Sequence, residues 1–205
     1  MIYWFLKFIF GPLVRLIWIK RIYGTENIPK SGGFIIVANH ASYFDFFCLP
    51  AVCKRRIYFF AAEKFFKHPI WSALMKSTKQ IRVNRCAEDK SEAYQAALKV
   101  LSENKVLGIF PEGTRSADGK LQPAYSGAVK IALIAGVPIL PIGITGAYDI
   151  LSRHRYLPRF KKSQVKIGKC ISLTQYYGQE DNHNLLQQIT DKTVMAAIHK
   201  LIINE

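Results

Sequence analysis

Short apolar runs alternate along the chain with longer segments in which apolar residues recur at helical spacing. Most of the runs are continuously apolar and end at Gly, Pro or polar residues, which is typical of strands buried on both faces of a sheet. Such strands are predicted at residues 34–38, 57–61, 106–110, 139–144 and 165–168, and a strand of alternating pattern is predicted at 79–83.

The segments between these runs are predicted to be helices. The clearest is 88–104, in which Ala93, Ala97 and Leu101 fall on one face. Further helices are predicted at residues 42–53, 65–75, 127–135 and 180–203. Because strands and helices alternate, we predict an α/β fold with a central, largely parallel sheet flanked by helices.

The first residues have a different pattern from the rest. We predict a membrane-associating helical segment over residues 1–22, followed by one domain over residues 23–205. Charges interrupt the apolar run of the segment, whereas a secretory signal has its basic residues before the run. Pro12 cannot donate a helical hydrogen bond, so we expect a break in the helix near Gly11.

On a helical wheel, the interrupting charges share one edge of this segment with indole side chains. Lys7 and Arg15 lie on the same side as Trp4 and Trp18, and apolar side chains cover most of the rest. This pattern is typical of a helix that lies in the bilayer interface. A spanning helix and a core helix of a soluble domain are the alternatives. The predicted membrane-contacting residues are Trp4, Lys7, Arg15, Trp18, Lys20 and Arg21.

The composition points to an anionic partner. Lys and Arg number 29 against 14 Asp and Glu, so the net charge is +15, and yet 50% of the residues are hydrophobic. Disordered chains lack such apolar content. The positive charge suits a nucleic acid, a membrane surface or a phosphorylated substrate. The four Cys show neither zinc-ligand nor disulfide spacing, which favours reduced thiols in a cytosolic compartment.

A first polar constellation, Asn-His-Ala-Ser-Tyr-Phe-Asp at residues 39–45, directly follows a predicted strand. Ligand sites of open α/β sheets lie at such strand ends. Ser42 and Asp45 have the spacing of a capping box, and a turn between them would bring Asp45 to the imidazole of His40. A carboxylate on one ring nitrogen leaves the other nitrogen as a general base. The alternative is that Asp45 only caps the helix.

A second constellation, Phe-Pro-Glu-Gly-Thr-Arg-Ser at residues 110–116, also follows a predicted strand. Its loop amides, its hydroxyls and the planar guanidinium of Arg115 are donors that suit a phosphate. Arg85, at the end of another short apolar segment, would add a second phosphate contact. The alternative for each arginine is a solvated surface position.

Several catalytic patterns are absent from the sequence. It contains no G-x-S-x-G, no H-E-x-x-H and no G-x-G-x-x-G, and its remaining histidines are scattered. A serine hydrolase is therefore disfavoured. We predict no metal site and no bound cofactor.

Taken in order, the motifs resemble those of the 1-acyl-sn-glycerol-3-phosphate acyltransferases, which are PlsC-like glycerolipid acyltransferases. His40 and Asp45 match the H-x(4)-D motif of that family, and residues 110–116 match its F-P-E-G-T-R-S motif. Arg85 matches the Arg that ends the second family motif, and residues 137–142 match V-P-I-x-P-V/I.

The resemblance implies transfer of a fatty acyl group from an acyl thioester to the free hydroxyl of lysophosphatidate, without an acyl-enzyme. His40 would be the general base, and Asp45 would orient it. The implied co-substrate is acyl-CoA or acyl-acyl carrier protein, and the implied location is the cytoplasmic face of the cell membrane. The implied phosphate site consists of Arg85, Glu112, Gly113, Thr114 and Arg115.

The chain departs from the family pattern in the second motif. That motif usually has a Gly where this chain has Lys79-Gln80, and usually ends in Asp-Arg where this chain has Asn84 before its Arg. The acceptor is therefore open: glycerol-3-phosphate, a lysophospholipid and an aminoacyl lipid are alternatives to lysophosphatidate.

Residues 153–169 contain many basic residues and no acidic residue. This stretch could dock an acidic acyl carrier protein or lie on anionic membrane lipid. A nucleic acid is not expected as a partner, because it would leave the polar residues at the strand ends unexplained and no aromatic-plus-basic RNA-binding motif is visible.

Overall fold

A computed structural model of the chain describes residues 2–84, 89 and 91–203, which form a seven-stranded sheet. The order across the sheet is β1-β7-β6-β2-β5-β3-β4. β6 and β7 pair antiparallel, and the other neighbouring strands pair parallel. The strands are β1 (Ile19–Tyr23), β2 (Phe34–Ala38), β3 (Ile57–Ala62), β4 (Ile81–Val83), β5 (Val106–Ile109), β6 (Ile139–Thr145) and β7 (Ser163–Ile167).

Helices connect the strands and cover the sheet, so the predicted α/β fold is confirmed. They are α1 (Ile2–Trp18), α2 (Asp45–Val52), α3 (Lys64–Lys67), α4 (Pro69–Ser77), α5 (Ser91–Ser102), α6 (Gly127–Ala135), α7 (Ala147–Leu151), α8 (His183–Ile189) and α9 (Ala196–Ile203). The predicted C-terminal helix is interrupted, because a π-helical turn, Thr190–Met195, joins α8 to α9.

The central strand β2 shows why the sheet is covered on both faces. All of its side chains are buried, and they alternate between two apolar cores. Ile35 and Val37 belong to the core beneath α5, α6, α8 and α9, whereas Phe34 and Ile36 belong to the core beneath α1, α2 and α7. The continuously apolar runs in the sequence therefore correspond to strands that are buried on both sides.

The predicted break of the N-terminal helix is wrong, because α1 continues through Pro12 to Trp18. A proline costs the helix one hydrogen bond, and contacts with the rest of the protein hold both ends of α1 in place. The hydroxyl of Tyr3 accepts a hydrogen bond from the N–H of Ile57, and the indole of Trp18 donates to the carbonyl of Arg159. After α1 the chain turns into β1, which pairs with β7 at the edge of the sheet.

Gly108 in β5 leaves no room for a side chain. A Cβ built on it would clash with the ring of Phe59. We expect Gly108→Ala to lower the free energy of unfolding by about 1–3 kcal/mol, because the methyl group overpacks the core. Urea unfolding measures this loss. Gly11→Ala is the matched control, since no atom lies within 4 Å of its added Cβ. Equal stability losses in the two variants would contradict the expectation.

Candidate active site

The carboxyl ends of β2, β5 and β6 lie side by side in the middle of the sheet, and a buried asparagine fixes the loop that follows β2. The side chain of Asn39 donates to the carbonyl of Ile144 in β6 at 2.9 Å and accepts from the N–H of the same residue at 2.8 Å. Asn39 begins the first polar constellation in the sequence, but no local pattern indicates its contact with Ile144, which lies 105 positions along the chain.

The structure brings together the side chains of His40 and Asp45. Nδ1 of His40 lies 2.9 Å from Oδ2 of Asp45, and the same oxygen accepts from the N–H groups of Ala41 and Ser42 at 2.9 and 2.8 Å. The capping box forms only in part. Asp45 accepts from the N–H of Ser42, but the hydroxyl of Ser42 accepts from the N–H of Phe44 instead of that of Asp45. The chain between the two side chains is thus folded tightly around one carboxylate oxygen.

Both members of this pair are buried, with His40 4% exposed and Asp45 0% exposed. Burial raises the pKa of the Asp45 carboxyl, and the hydrogen bonds from His40, Ser42 and Ala41 act in the opposite direction. A carboxylate can only accept, so Nδ1 of His40 carries the proton of this bond and Nε2 keeps its lone pair. Nε2 is therefore the nitrogen that can remove a proton from a substrate hydroxyl.

The loop 110–116 contacts both the side chain and the backbone of His40. The ring of Phe110 stacks on the imidazole with centroids 4.1 Å apart. Oε1 of Glu112 accepts from the backbone N–H of His40 at 2.6 Å, and the N–H of Ser116 donates to the carbonyl of His40 at 2.8 Å. The two constellations predicted separately from the sequence therefore form one site.

Glu112 is buried at 4% exposure, and its second oxygen accepts from the N–H of Gln122. Burial raises the pKa of this carboxyl from 4.5 to about 7, although the two amide hydrogen bonds oppose the rise. Between these pH values the folded protein holds a proton that the unfolded chain has lost. Stability should therefore fall as the pH rises through this window and level off above it.

We expect the titration of Glu112 to account for about 2–3 kcal/mol of the stability that is lost between pH 4.5 and about 7. Glu112→Gln removes the titration, so its free energy of unfolding should decline less between these pH values than that of the unmodified protein. The measurement is urea unfolding at a series of pH values. Parallel stability curves for the two proteins would contradict the raised pKa.

The other residues of the predicted phosphate site lie in or near the same loop. Gly113 has a positive φ of 69°, and Thr114 is exposed. The guanidinium of Arg115 lies 3.4 Å from the ring centroid of Tyr43, which is part of the His40 loop. Arg85 lies outside the described residues. Among the residues that are described, no group of three or more His, Cys, Asp or Glu could hold a metal ion.

Comparison with known proteins identifies the family. The sequence model of the Acyltransferase family matches residues 20–145, which is more than half of the chain. The chain belongs to this acyltransferase family. The match includes both polar loops around His40.

Named relatives of this acyltransferase agree with the resemblance seen in the motifs. It is 29% identical over 148 residues to the 1-acyl-sn-glycerol-3-phosphate acyltransferase of Bacillus subtilis, covering 72% of this chain and 70% of that protein. It is 34% identical over 122 residues to the protein of that name from Borreliella burgdorferi, covering 58% of this chain and 48% of the relative. With the Limnanthes douglasii protein it shares 34% identity over 68% of this chain and 50% of the relative. This chain thus spans about half the length of the Borreliella burgdorferi and Limnanthes douglasii relatives.

A solved structure has the same fold. The crystal structure of the 1-acyl-sn-glycerophosphate (LPA) acyltransferase PlsC from Thermotoga maritima superposes on this acyltransferase with a TM-score of 0.71 and 27% sequence identity. The superposition covers 91% of this chain and 76% of the PlsC chain. The predicted family and the predicted class of enzyme, an O-acyltransferase, are confirmed.

The N-terminal helix of the acyltransferase packs on the protein through Tyr3 and Val14, and Lys7 lies on the same side. Nζ of Lys7 donates to the carbonyls of Cys53, Lys54 and Arg55, and burial lowers the pKa of this ammonium. Within the described part of the chain, no helix combines the length and the apolar content needed to cross a membrane. The exposed apolar side chains of α1 are Ile2, Trp4, Phe5, Phe8, Ile9, Phe10, Leu13 and Leu16.

The remaining predicted membrane-contacting residues lie near the end of α1 and in β1. Arg15 is exposed near the end of α1, and Lys20 and Arg21 are exposed on the edge strand β1. Trp18 is half-buried against Phe44. The helical wheel groups the charges with the indoles and does not show that Lys7 faces the protein while the phenylalanines and leucines of α1 are exposed.

Proposed function

We propose that this acyltransferase transfers a fatty acyl group from an acyl thioester to the free hydroxyl of lysophosphatidate, giving phosphatidate. The observation that carries the proposal is the hydrogen bond of 2.9 Å between His40 Nδ1 and Asp45, which leaves Nε2 as a base at the carboxyl edge of the sheet. The relatives named 1-acyl-sn-glycerol-3-phosphate acyltransferases support lysophosphatidate as the acceptor.

The proposed reaction proceeds without an acyl-enzyme. Nε2 of His40 takes the proton of the acceptor hydroxyl while that oxygen forms a bond to the thioester carbonyl carbon. The tetrahedral intermediate then collapses, the carbon–sulfur bond breaks, and the leaving thiolate takes the proton from the imidazolium. Asp45 holds the imidazole in one orientation and favours its charged form during the reaction. The rings of Phe46 and Phe110 against the imidazole limit the access of water.

The phosphate of the acceptor is proposed to bind to the loop 110–116. Arg115 supplies a planar guanidinium next to the His40 loop, and Gly113 and Thr114 supply backbone and hydroxyl donors. Arg85 is proposed to add a second charge. Glu112 acts in this proposal by positioning, because both of its oxygens accept backbone N–H groups and one of these belongs to His40.

The enzyme is proposed to work on the cytoplasmic face of the cell membrane, where membrane lipids present the acceptor. The exposed apolar side of α1 supports this location, because such side chains stabilise a helix in the bilayer interface. The N-terminal segment over residues 1–22 would be the membrane-associating part and residues 23–205 the acyltransferase domain. The proposed donor is acyl-CoA or acyl-acyl carrier protein, with no bound cofactor.

A thioester-release assay with a panel of acceptors tests the proposal. Each donor is incubated with lysophosphatidate, glycerol-3-phosphate, a zwitterionic lysophospholipid or an aminoacyl lipid, and free thiol and acylated product are measured. We expect the highest kcat/KM with lysophosphatidate. A higher value with another acceptor would replace the proposed substrate and keep the reaction, whereas product formation with none of them would overturn the function.

A further inference from the structure

We propose that the segment 152–162, here called the basic loop, is a second element that docks the protein on an anionic bilayer, next to the active site. The basic loop connects α7 to β7. The inference rests on the proposed function insofar as it places that reaction at a membrane. It assigns the positive charge of this stretch to lipid headgroups rather than to a carrier protein.

Three large apolar side chains of the basic loop are exposed to solvent. Tyr156 is 99% exposed, Leu157 is 79% exposed and Phe160 is 85% exposed. Single exposed apolar residues are common on protein surfaces, but a contiguous group of them indicates an interaction site. These three lie within five positions of the chain, so they can enter the same apolar layer together.

The charges of the same segment suit the headgroups that surround such a layer. The basic loop contains five Lys and Arg residues and no acidic residue. Aromatic and apolar side chains flanked by basic residues are the pattern of a protein surface at an anionic bilayer interface. The basic residues are Arg153, Arg155, Arg159, Lys161 and Lys162.

The basic loop is attached to the end of α1, so the two form one surface. The rings of Phe160 and Trp18 stack with centroids 6.2 Å apart, and the indole N–H of Trp18 donates to the carbonyl of Arg159 at 2.9 Å. Nζ of Lys162 donates to the carbonyls of Ile17 and Leu16 in the last turn of the helix. The exposed apolar side of α1 therefore continues into the loop.

This surface also reaches the catalytic loop. The ring of Trp18 lies 5.5 Å from that of Phe44, which precedes Asp45 directly. The hydroxyl of Ser42 donates to the carbonyl of Leu151, the last residue before the basic loop. A bilayer bound to α1 and the basic loop would therefore meet the protein beside the catalytic pair, where a lipid acceptor must enter.

An acidic carrier protein would match the charges of the basic loop but not its apolar residues or its position. The exposed apolar side of α1 continues into the basic loop through Tyr156, Leu157 and Phe160. Burial in an apolar layer would remove both groups of side chains from water. A bilayer covers both elements at once, and its anionic headgroups neutralise the lysines and arginines around them. The bilayer is therefore the partner that accounts for all of these features.

The test is vesicle binding by a triple variant, Tyr156→Ser, Leu157→Ser and Phe160→Ser, in the full chain. Phosphatidylcholine vesicles with and without phosphatidylglycerol are sedimented, and bound protein is measured. We expect the affinity of the variant for the anionic vesicles to fall about tenfold or more. The matched control is Tyr177→Ser with Ile203→Ser, which removes exposed apolar side chains from segments next to the other core, and its affinity should not change.

A second variant tests the charges. Arg153→Gln with Arg155→Gln should weaken binding to phosphatidylglycerol vesicles and leave binding to pure phosphatidylcholine unchanged, whereas Lys192→Gln with Lys200→Gln should have no effect on either. Unchanged vesicle binding in the triple variant would overturn the proposal. So would a charge variant that binds vesicles normally and raises the KM for an acyl carrier protein thioester but not for an acyl-CoA, because the partner would then be the carrier.

Vesicle binding requires no turnover, so this test is separate from that of the proposed reaction. Failure to acylate any acceptor would remove the proposed function and leave the sedimentation result standing. In an active enzyme, the triple variant should lower the ratio of turnover on vesicle-embedded acceptor to turnover on detergent-dispersed acceptor. A fall of both rates by the same factor, with normal vesicle binding, would contradict bilayer docking.

Discussion

Replacing His40 with alanine is expected to lower acyl transfer by about 10²–10⁴-fold while the protein stays folded. The rate falls because the variant has no base for the acceptor hydroxyl. The fold persists because the backbone contacts at this position do not depend on the side chain: the N–H of residue 40 still donates to Glu112, and its carbonyl still accepts from Ser116. The measurement is thiol release under saturating donor and acceptor, with circular dichroism on the same samples.

His199→Ala is the control for His40→Ala, since His199 is an exposed histidine on α9. Its turnover should equal that of the unmodified protein. The His40 variant should also bind vesicles normally, because the apolar side of α1 and the basic loop are unchanged. Turnover of the His40 variant close to that of the unmodified protein would exclude His40 as the base.

Replacing Asp45 with asparagine is expected to lower turnover by about 10²–10⁴-fold and to cost less stability than replacing it with alanine. Three donors converge on Oδ2 of Asp45, and the amide oxygen of asparagine can accept from all three. What the variant lacks is the negative charge, which favours the imidazolium that forms when Nε2 takes a proton. The expected result is a loss in kcat with a smaller loss in the free energy of unfolding than Asp45→Ala shows, because the amide oxygen keeps the three hydrogen bonds.

Asp45→Ala separates orientation from charge, because it removes the acceptor itself. The N–H groups of Ala41 and Ser42 and the imidazole N–H would remain buried without an acceptor, so we expect a stability loss of about 3 kcal/mol or more. Urea unfolding of both variants, with Asp149→Asn on the surface of α7 as the control, measures the difference. Equal stability losses in Asp45→Asn and Asp45→Ala would show that the hydrogen bonds do not hold the loop.

The central sheet could be predicted from the sequence because each strand carries its own signal. The runs at 34–38 and 106–110 are short and continuously apolar, which is typical of strands buried on both sides, and the structure has β2 and β5 there. β1 was missed for the opposite reason. Residues 19–23 contain Lys20 and Arg21, and they form a strand because β7, far along the chain, pairs with them.

The candidate site was predictable only as far as its residues lie close in sequence. His40 and Asp45 are five positions apart, so a single turn brings them together. The contact between His40 and Glu112 spans 72 positions, and no local pattern shows that the carboxylate accepts a backbone N–H. The resemblance implied that Glu112 belongs to the phosphate site, whereas its hydrogen bonds depend on how β2 and β5 are paired.

The pairing of β1 with β7 delays completion of the sheet until late in translation. Ribosomes make proteins from the N-terminus, so α1 and β1 exist well before residues 163–167, with which Ile19 and Tyr23 pair. During that interval β1 has no neighbour in the sheet, and the loop that later packs on Trp18 has not been made. The apolar side chains of α1 are thus available to a bilayer during translation, before the domain closes.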